Sequence, residues 1–130
     1  MKGIITVSLF LLTLLARAGD VQILQVELQE ETGKNWRAHV TLEHADTGWD
    51  HYADAWRVVS PDGKELGQRT LHHPHENEQP FTRSLSGIAI PGEMTVVVVE
   101  AHDKLHGWSA DRVRIDLQQQ SGDRYRVERR

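Results

Sequence analysis

From Trp36 to Glu43 every second residue is apolar: Trp36, Ala38, Val40 and Leu42 alternate with Arg37, His39, Thr41 and Glu43. A period of two puts one set on each face of an extended chain, so this run is a strand with one buried and one wet face. His39 falls in the wet set and is expected to be a solvated surface residue. One such strand cannot bury its apolar face alone; it requires sheet neighbours and a second layer to pack against.

The rest of the chain offers both. Residues 21–28, 52–60, 65–71, 81–90, 94–101 and 109–117 read as further strands. They are punctuated by Thr32-Gly33-Lys34, Pro61-Asp62-Gly63-Lys64 and Pro91-Gly92-Glu93, which are turn signals through their Gly and Pro placement. Helical periodicity is missing after residue 18. Seven short strands at regular spacing predict an all-β protein, a single seven-stranded immunoglobulin/fibronectin III-like β-sandwich. Tyr52, Trp56 and Val58 share a face, so Trp56 is expected to be the central core aromatic. Trp49, beside Gly48 in a loop, is not. The unbroken Val96-Val97-Val98-Val99 run suits a central buried strand.

The first eighteen residues are set apart. Lys2 precedes an apolar stretch from Ile4 to Leu15, interrupted by Thr6, Ser8 and Thr13, and Ala16-Arg17-Ala18 is a small-x-small cleavage signal. These are the parts of a secretory signal peptide. The stretch is shorter than the roughly 20 apolar residues that span a bilayer. The expected organisation is a signal peptide at 1–18, a sandwich domain at 19–117 and a polar, charged tail at 118–130. In the tail, Tyr125 and Val127 leave a short edge strand or a frayed end open. The mature chain is expected to be secreted, to the periplasm or beyond, with no membrane span. With no cysteine in the sequence, there is no site for a lipid-modified cysteine or a disulfide. A chain of this size can bury enough apolar surface without one. Without Lys2 and Arg17, 13 basic side chains face 19 acidic ones, which argues against a nucleic-acid partner.

Histidine is the exception in the composition. Seven of eight histidines lie in three segments: His44 and His51; His72, His73 and His75; His102 and His106. If strands alternate in direction, odd-numbered connections share one end of the sandwich and even-numbered ones the other. The plain turns are the first, third and fifth connections. The histidine segments are the second, fourth and sixth, so they are expected to gather at one end.

Imidazole is the commonest protein ligand for zinc, copper and nickel. The expected metal ligands are His51, His72, His75, His102 and His106. His44, His73, Asp50, Glu76, Glu78 and Asp103 are further ligands or the groups that orient them, although His44 also reads as the end of its strand. Arg83 is placed to pair with a loop carboxylate. With no cysteine, and with Met94 at the opposite end, copper(II) or zinc suits such a site better than copper(I). A second reading takes Trp49 and Trp108 as stacking platforms for a carbohydrate or another flat ligand. A third makes these loops a surface for another envelope protein. Neither Gly-x-Ser-x-Gly nor His-Glu-x-x-His nor a phosphate loop occurs, so no catalysis is expected.

Two segments, Gly48-Trp49-Asp50-His51-Tyr52-Ala53-Asp54-Ala55-Trp56 and His73-Pro74-His75-Glu76-Asn77-Glu78-Gln79-Pro80-Phe81-Thr82-Arg83, resemble those of small uncharacterised exported bacterial proteins. Residues 97–107 are similar to the last hairpin of fibronectin type III-like domains. The resemblance implies export and a sandwich fold, and no particular activity. Periplasmic copper-resistance proteins are also small β-sandwiches with histidine ligands. This chain lacks their methionine-rich copper(I) segment and is not assigned to them.

Overall fold

A computed structural model describes Gly3 and residues 20–130. Apart from Gly3, the signal-peptide expectation for residues 1–18 falls outside them. Two sheets pack face to face. The first has the order β5-β2-β1-β9-β8 and the second β4-β3-β6-β7. The strands are β1 (Gln22–Glu30), β2 (Asn35–Glu43), β3 (Ala53–Val59), β4 (Glu65–Thr70), β5 (Phe81–Ala89), β6 (Val96–Asp103), β7 (Gly107–Asp116), β8 (Ser121–Gly122) and β9 (Tyr125–Glu128). The seven expected strands are β1 to β7. All pairings are antiparallel except that of β9 with β1.

The alternation in β2 settles which way its side chains face. Trp36, Ala38, Val40 and Leu42 are all buried against the opposite sheet. His39 sits on the outer face, half-buried rather than free in solvent, with Nδ1 against the Ser84 hydroxyl at 2.6 Å and Nε2 3.3 Å from Gln29 Oε1. Trp56 on β3 is fully buried among residues of both sheets. The valine run does form a central strand, between β3 and β7. Only Val97 and Val99 are buried, however; Val96 and Val98 lie half-covered on the outer face, because this sheet is packed on one side only.

Two devices close the sandwich. Gly67 on β4 lets the sheets approach: a Cβ there would lie 3.1 Å from Leu85 Cδ2 and 3.2 Å from Ile88 Cγ1. On the other side the start of β1 leans onto β7, with Val21 N–H donating to Ser109 Oγ and Ile23 N–H to Asp111 Oδ2. Arg124 reinforces this join by donating to both Asp111 carboxylate oxygens and to the Ile23 carbonyl. The last residues are therefore an ordered part of the first sheet. Tyr125 and Val127 are buried, and Val26 to Gln29 pair in parallel with Tyr125 to Glu128.

The connections segregate as alternation requires. Gly33, Lys34, Pro91, Gly92 and Met94 flank one cleft at one end. The connections β2–β3, β4–β5 and β6–β7 meet at the other, where His44 bonds to Asp103 at the end of β6 and the His75 backbone N–H donates to Asp46.

Candidate metal centre

The histidine end is built around Asp103, the last residue of β6. Its carboxylate is fully buried. Oδ1 accepts the Leu105 and His106 backbone N–H groups at 2.7 and 3.0 Å, which tightens the turn into Gly107, where φ is +83°. Oδ2 faces three imidazoles: His44 Nε2 at 2.6 Å, His51 Nε2 at 2.7 Å and His106 Nδ1 at 3.3 Å. A carboxylate can only accept, so the ring nitrogens turned toward it donate. Burial alone would push the Asp103 carboxyl up. The His106 and Leu105 N–H groups, with the imidazoles of His106 and His51, outweigh burial and lower it to about 2.

Each imidazole arrives by a different local device. His44 follows directly on β2 and is buried. His51 is presented by a tight loop in which Thr47 N–H donates to the His51 carbonyl and His51 N–H to the Gly48 carbonyl. Gly48 has φ of +126°, a conformation that favours glycine. His106 is carried by the Asp103 turn itself. The rings of His44 and His51, and of His51 and His106, meet edge-on with centroids 4.9 Å apart in each pair. One ligand atom each from His44, His51 and Asp103 lies within 4.8 Å of the others, a group that could hold a metal ion.

Of the five expected ligands, His51 and His106 converge here. His75 is buried nearby but faces away: its ring stacks on Phe81 at 4.1 Å, Arg83 donates to Nε2 at 2.9 Å, and Nδ1 is 3.9 Å from Asp46 Oδ2. His102 lies on the outer face of its sheet, where Nδ1 meets Asp54 at 2.5 Å and the ring meets Trp108 edge-on. His72 and His73 are exposed, as are Asp50, Glu76 and Glu78. Glu78 pairs with Arg83 at 3.5 Å, the loop carboxylate that Arg83 was expected to find. His44, ambiguous in the sequence, is at the centre.

Trp49 is 62% exposed and lines a cleft of about 410 Å³ with His73 to Glu78. Trp108 is unlike it, because the Arg57 guanidinium stacks over its ring at 3.7 Å and occupies the face a ligand would need.

Sequence reasoning passed over Asp46. Its side chain is fully buried and bonds to His44 and to two backbone groups: Oδ1 receives His44 Nδ1 at 2.5 Å and Ala53 N–H at 3.0 Å, and Oδ2 receives His75 N–H at 2.7 Å. The one signal available was its place two residues after a histidine that ends a strand.

His75 carries a pH dependence of its own. Burial, then the charges of Arg83 and His73, lower its pKa below the ordinary imidazole value. The folded state thus favours neutral His75. Its contribution is fully present above the unfolded value of about 6.5 and is lost as pH falls through the lowered native value. Thermal melts from pH 7.5 to 5 are expected to show falling stability, with a shallower fall in His75→Gln. Equal slopes would contradict this assignment.

No family model matches the chain and no solved structure matches it. A protein of Halomicrobium mukohataei named "Putative lipoprotein" is 39% identical over 99 residues. The similarity covers 76% of this chain but 48% of that protein, so the chain spans about half the length of the relative it matches.

Proposed function

We propose that this chain is an exported cell-envelope protein that binds one divalent transition-metal ion, zinc or copper(II), through His44 Nε2, His51 Nε2, His106 Nδ1 and Asp103 Oδ2. The observation that carries the reading is the convergence of three imidazole nitrogens on one buried carboxylate oxygen. Three nitrogens and one oxygen suit zinc or copper(II). The 2.6 and 2.7 Å spacings are those of hydrogen bonds. Four ligands about 2.0–2.1 Å from a zinc ion stand roughly 3.3 Å apart, so loading would lengthen these two spacings by about 0.6–0.7 Å. His51 and His106 are partly exposed and give the ion a path inward. The leader-like residues 1–18 and the name of the Halomicrobium mukohataei relative support a cell-envelope location. The sequence holds no cysteine to carry a lipid. The strand order supports the fibronectin III-like reading, since β1, β2 and β5 share one sheet while β3, β4, β6 and β7 share the other.

Calorimetric titration of the mature, tag-free protein with zinc and with copper(II) is expected to show one site per chain. A His51→Ala/His106→Ala double variant is expected to lose it, and His72→Ala to keep it. Affinity no better than that of free histidine, or unchanged in the double variant, would sink the reading. A second reading, a carbohydrate ligand stacked on Trp49, rests on the exposed indole beside its cleft. Sugar binding there would quench tryptophan fluorescence and survive a chelator.

A further inference from the structure

Asp46 stands outside the proposed ligand set, yet its carboxylate is as deeply buried as that of Asp103. Two backbone donors hold it in place, Ala53 N–H on Oδ1 and His75 N–H on Oδ2. The first belongs to β3 and the second to the β4–β5 connection, so the carboxylate is fixed from two directions and cannot swing away from His44. Gln79 adds to the frame by accepting the His44 backbone N–H at 3.0 Å and donating to the His75 carbonyl at 2.9 Å. Within this frame the His44 ring has one orientation, with Nδ1 on Asp46 and Nε2 toward Asp103, His51 and His106.

A neutral imidazole carries one proton, and the nitrogen without it is the one that can bind a metal. Carboxylate oxygens face both ring nitrogens, Asp46 Oδ1 2.5 Å from Nδ1 and Asp103 Oδ2 2.6 Å from Nε2, so both donate in the metal-free protein. A metal held by Asp103 would replace the Nε2 proton, while Asp46 keeps the one on Nδ1. We infer that Asp46 is the positioning residue of the metal site: it holds the proton on His44 Nδ1 and so leaves Nε2 as the ligand atom. This inference rests on the metal reading above. It also gives a physical reason for a buried carboxylate two residues from His44 that binds no metal itself. Carboxylates placed behind ligating histidines in this way typically contribute 10–100-fold to metal affinity.

The test compares zinc affinity of the unmodified mature protein and Asp46→Asn by competition with a chromophoric chelator. The variant amide is neutral in either orientation, and in one of them its NH₂ faces His44 Nδ1 and drives the proton to Nε2. Asp46→Asn is expected to bind zinc 10–100-fold more weakly. In the unmodified zinc-loaded protein, long-range ¹H–¹⁵N NMR is expected to show His44 protonated at Nδ1 and metal-shifted at Nε2. That measurement needs no variant, so it stands even if Asp46→Asn does not fold. Zinc binding unchanged within about threefold in a folded Asp46→Asn, or a proton on His44 Nε2 in the loaded protein, would overturn the role of Asp46 and leave the metal site standing. No zinc binding by the unmodified protein would overturn both.

Discussion

Trp56→Ala is expected to lower the unfolding free energy by about 3–5 kcal/mol, the range for deleting a buried aromatic. Trp56 is fully buried on β3, between neighbours Arg69 on β4 and Ala101 on β6, and belongs to the core shared by both sheets. Removing it leaves a void that a nine-stranded sandwich cannot close without moving strands. Domains of this size are stable by only about 5–15 kcal/mol, so the variant stands near the edge of folding. Urea melts measure the change, as a lower midpoint with an unchanged slope. Trp56→Phe should cost less, because it also removes an indole N–H that is buried without an acceptor. Trp49→Ala, at a side chain 62% exposed, should shift stability by no more than about 0.5 kcal/mol. Comparable losses for Trp56→Ala and Trp49→Ala would mean that the core is not where the structure has it.

The second large effect belongs to Asp103. Its two oxygens accept from two backbone N–H groups and three imidazoles at the meeting point of two connections. Asp103→Ala would leave those donors without their acceptor, among them the fully buried His44, and breaking one side of such a network typically costs up to about 3–5 kcal/mol. Asp103→Asn keeps the volume and one acceptor oxygen. It can still cap the turn through Leu105 and His106, but it turns an NH₂ toward the imidazoles. It is therefore expected to cost less stability than alanine and still to lose the metal. Melts and zinc titrations of both variants separate the two roles. If Asp103→Ala melts like the unmodified protein, the network contributes nothing to the fold.

The alternating residues of β2, the turn residues and the position of Trp56 were legible because period and turn chemistry are local properties. They require no knowledge of what lies across the sheet. The gathering of the histidine loops was legible too, since it follows from the parity of the connections rather than from any contact. What the chain order could not contain is which loop side chains turn inward. The His75 ring is buried yet faces Phe81 and Arg83, while His44, two residues from Asp46, sits at the centre. That choice is made by backbone paths within the loops, such as the Gly48 turn and the Asp103 cap, and by which carboxylate lies 59 residues away in sequence. The fate of the last residues was likewise decided in three dimensions. Tyr125 and Val127 make too short a pattern to announce a strand, and β9 is held by parallel pairing to β1 and by Arg124 on Asp111, partners that sequence spacing does not reveal. By itself the sequence determined a two-layer β fold with seven of its eight histidines in connections that share one end, because apolar periodicity and connection parity act locally. Only the tertiary structure decided that His44, His51 and His106 converge on Asp103 and that Asp46 bonds to His44, because burial and hydrogen-bond partners arise from long-range packing.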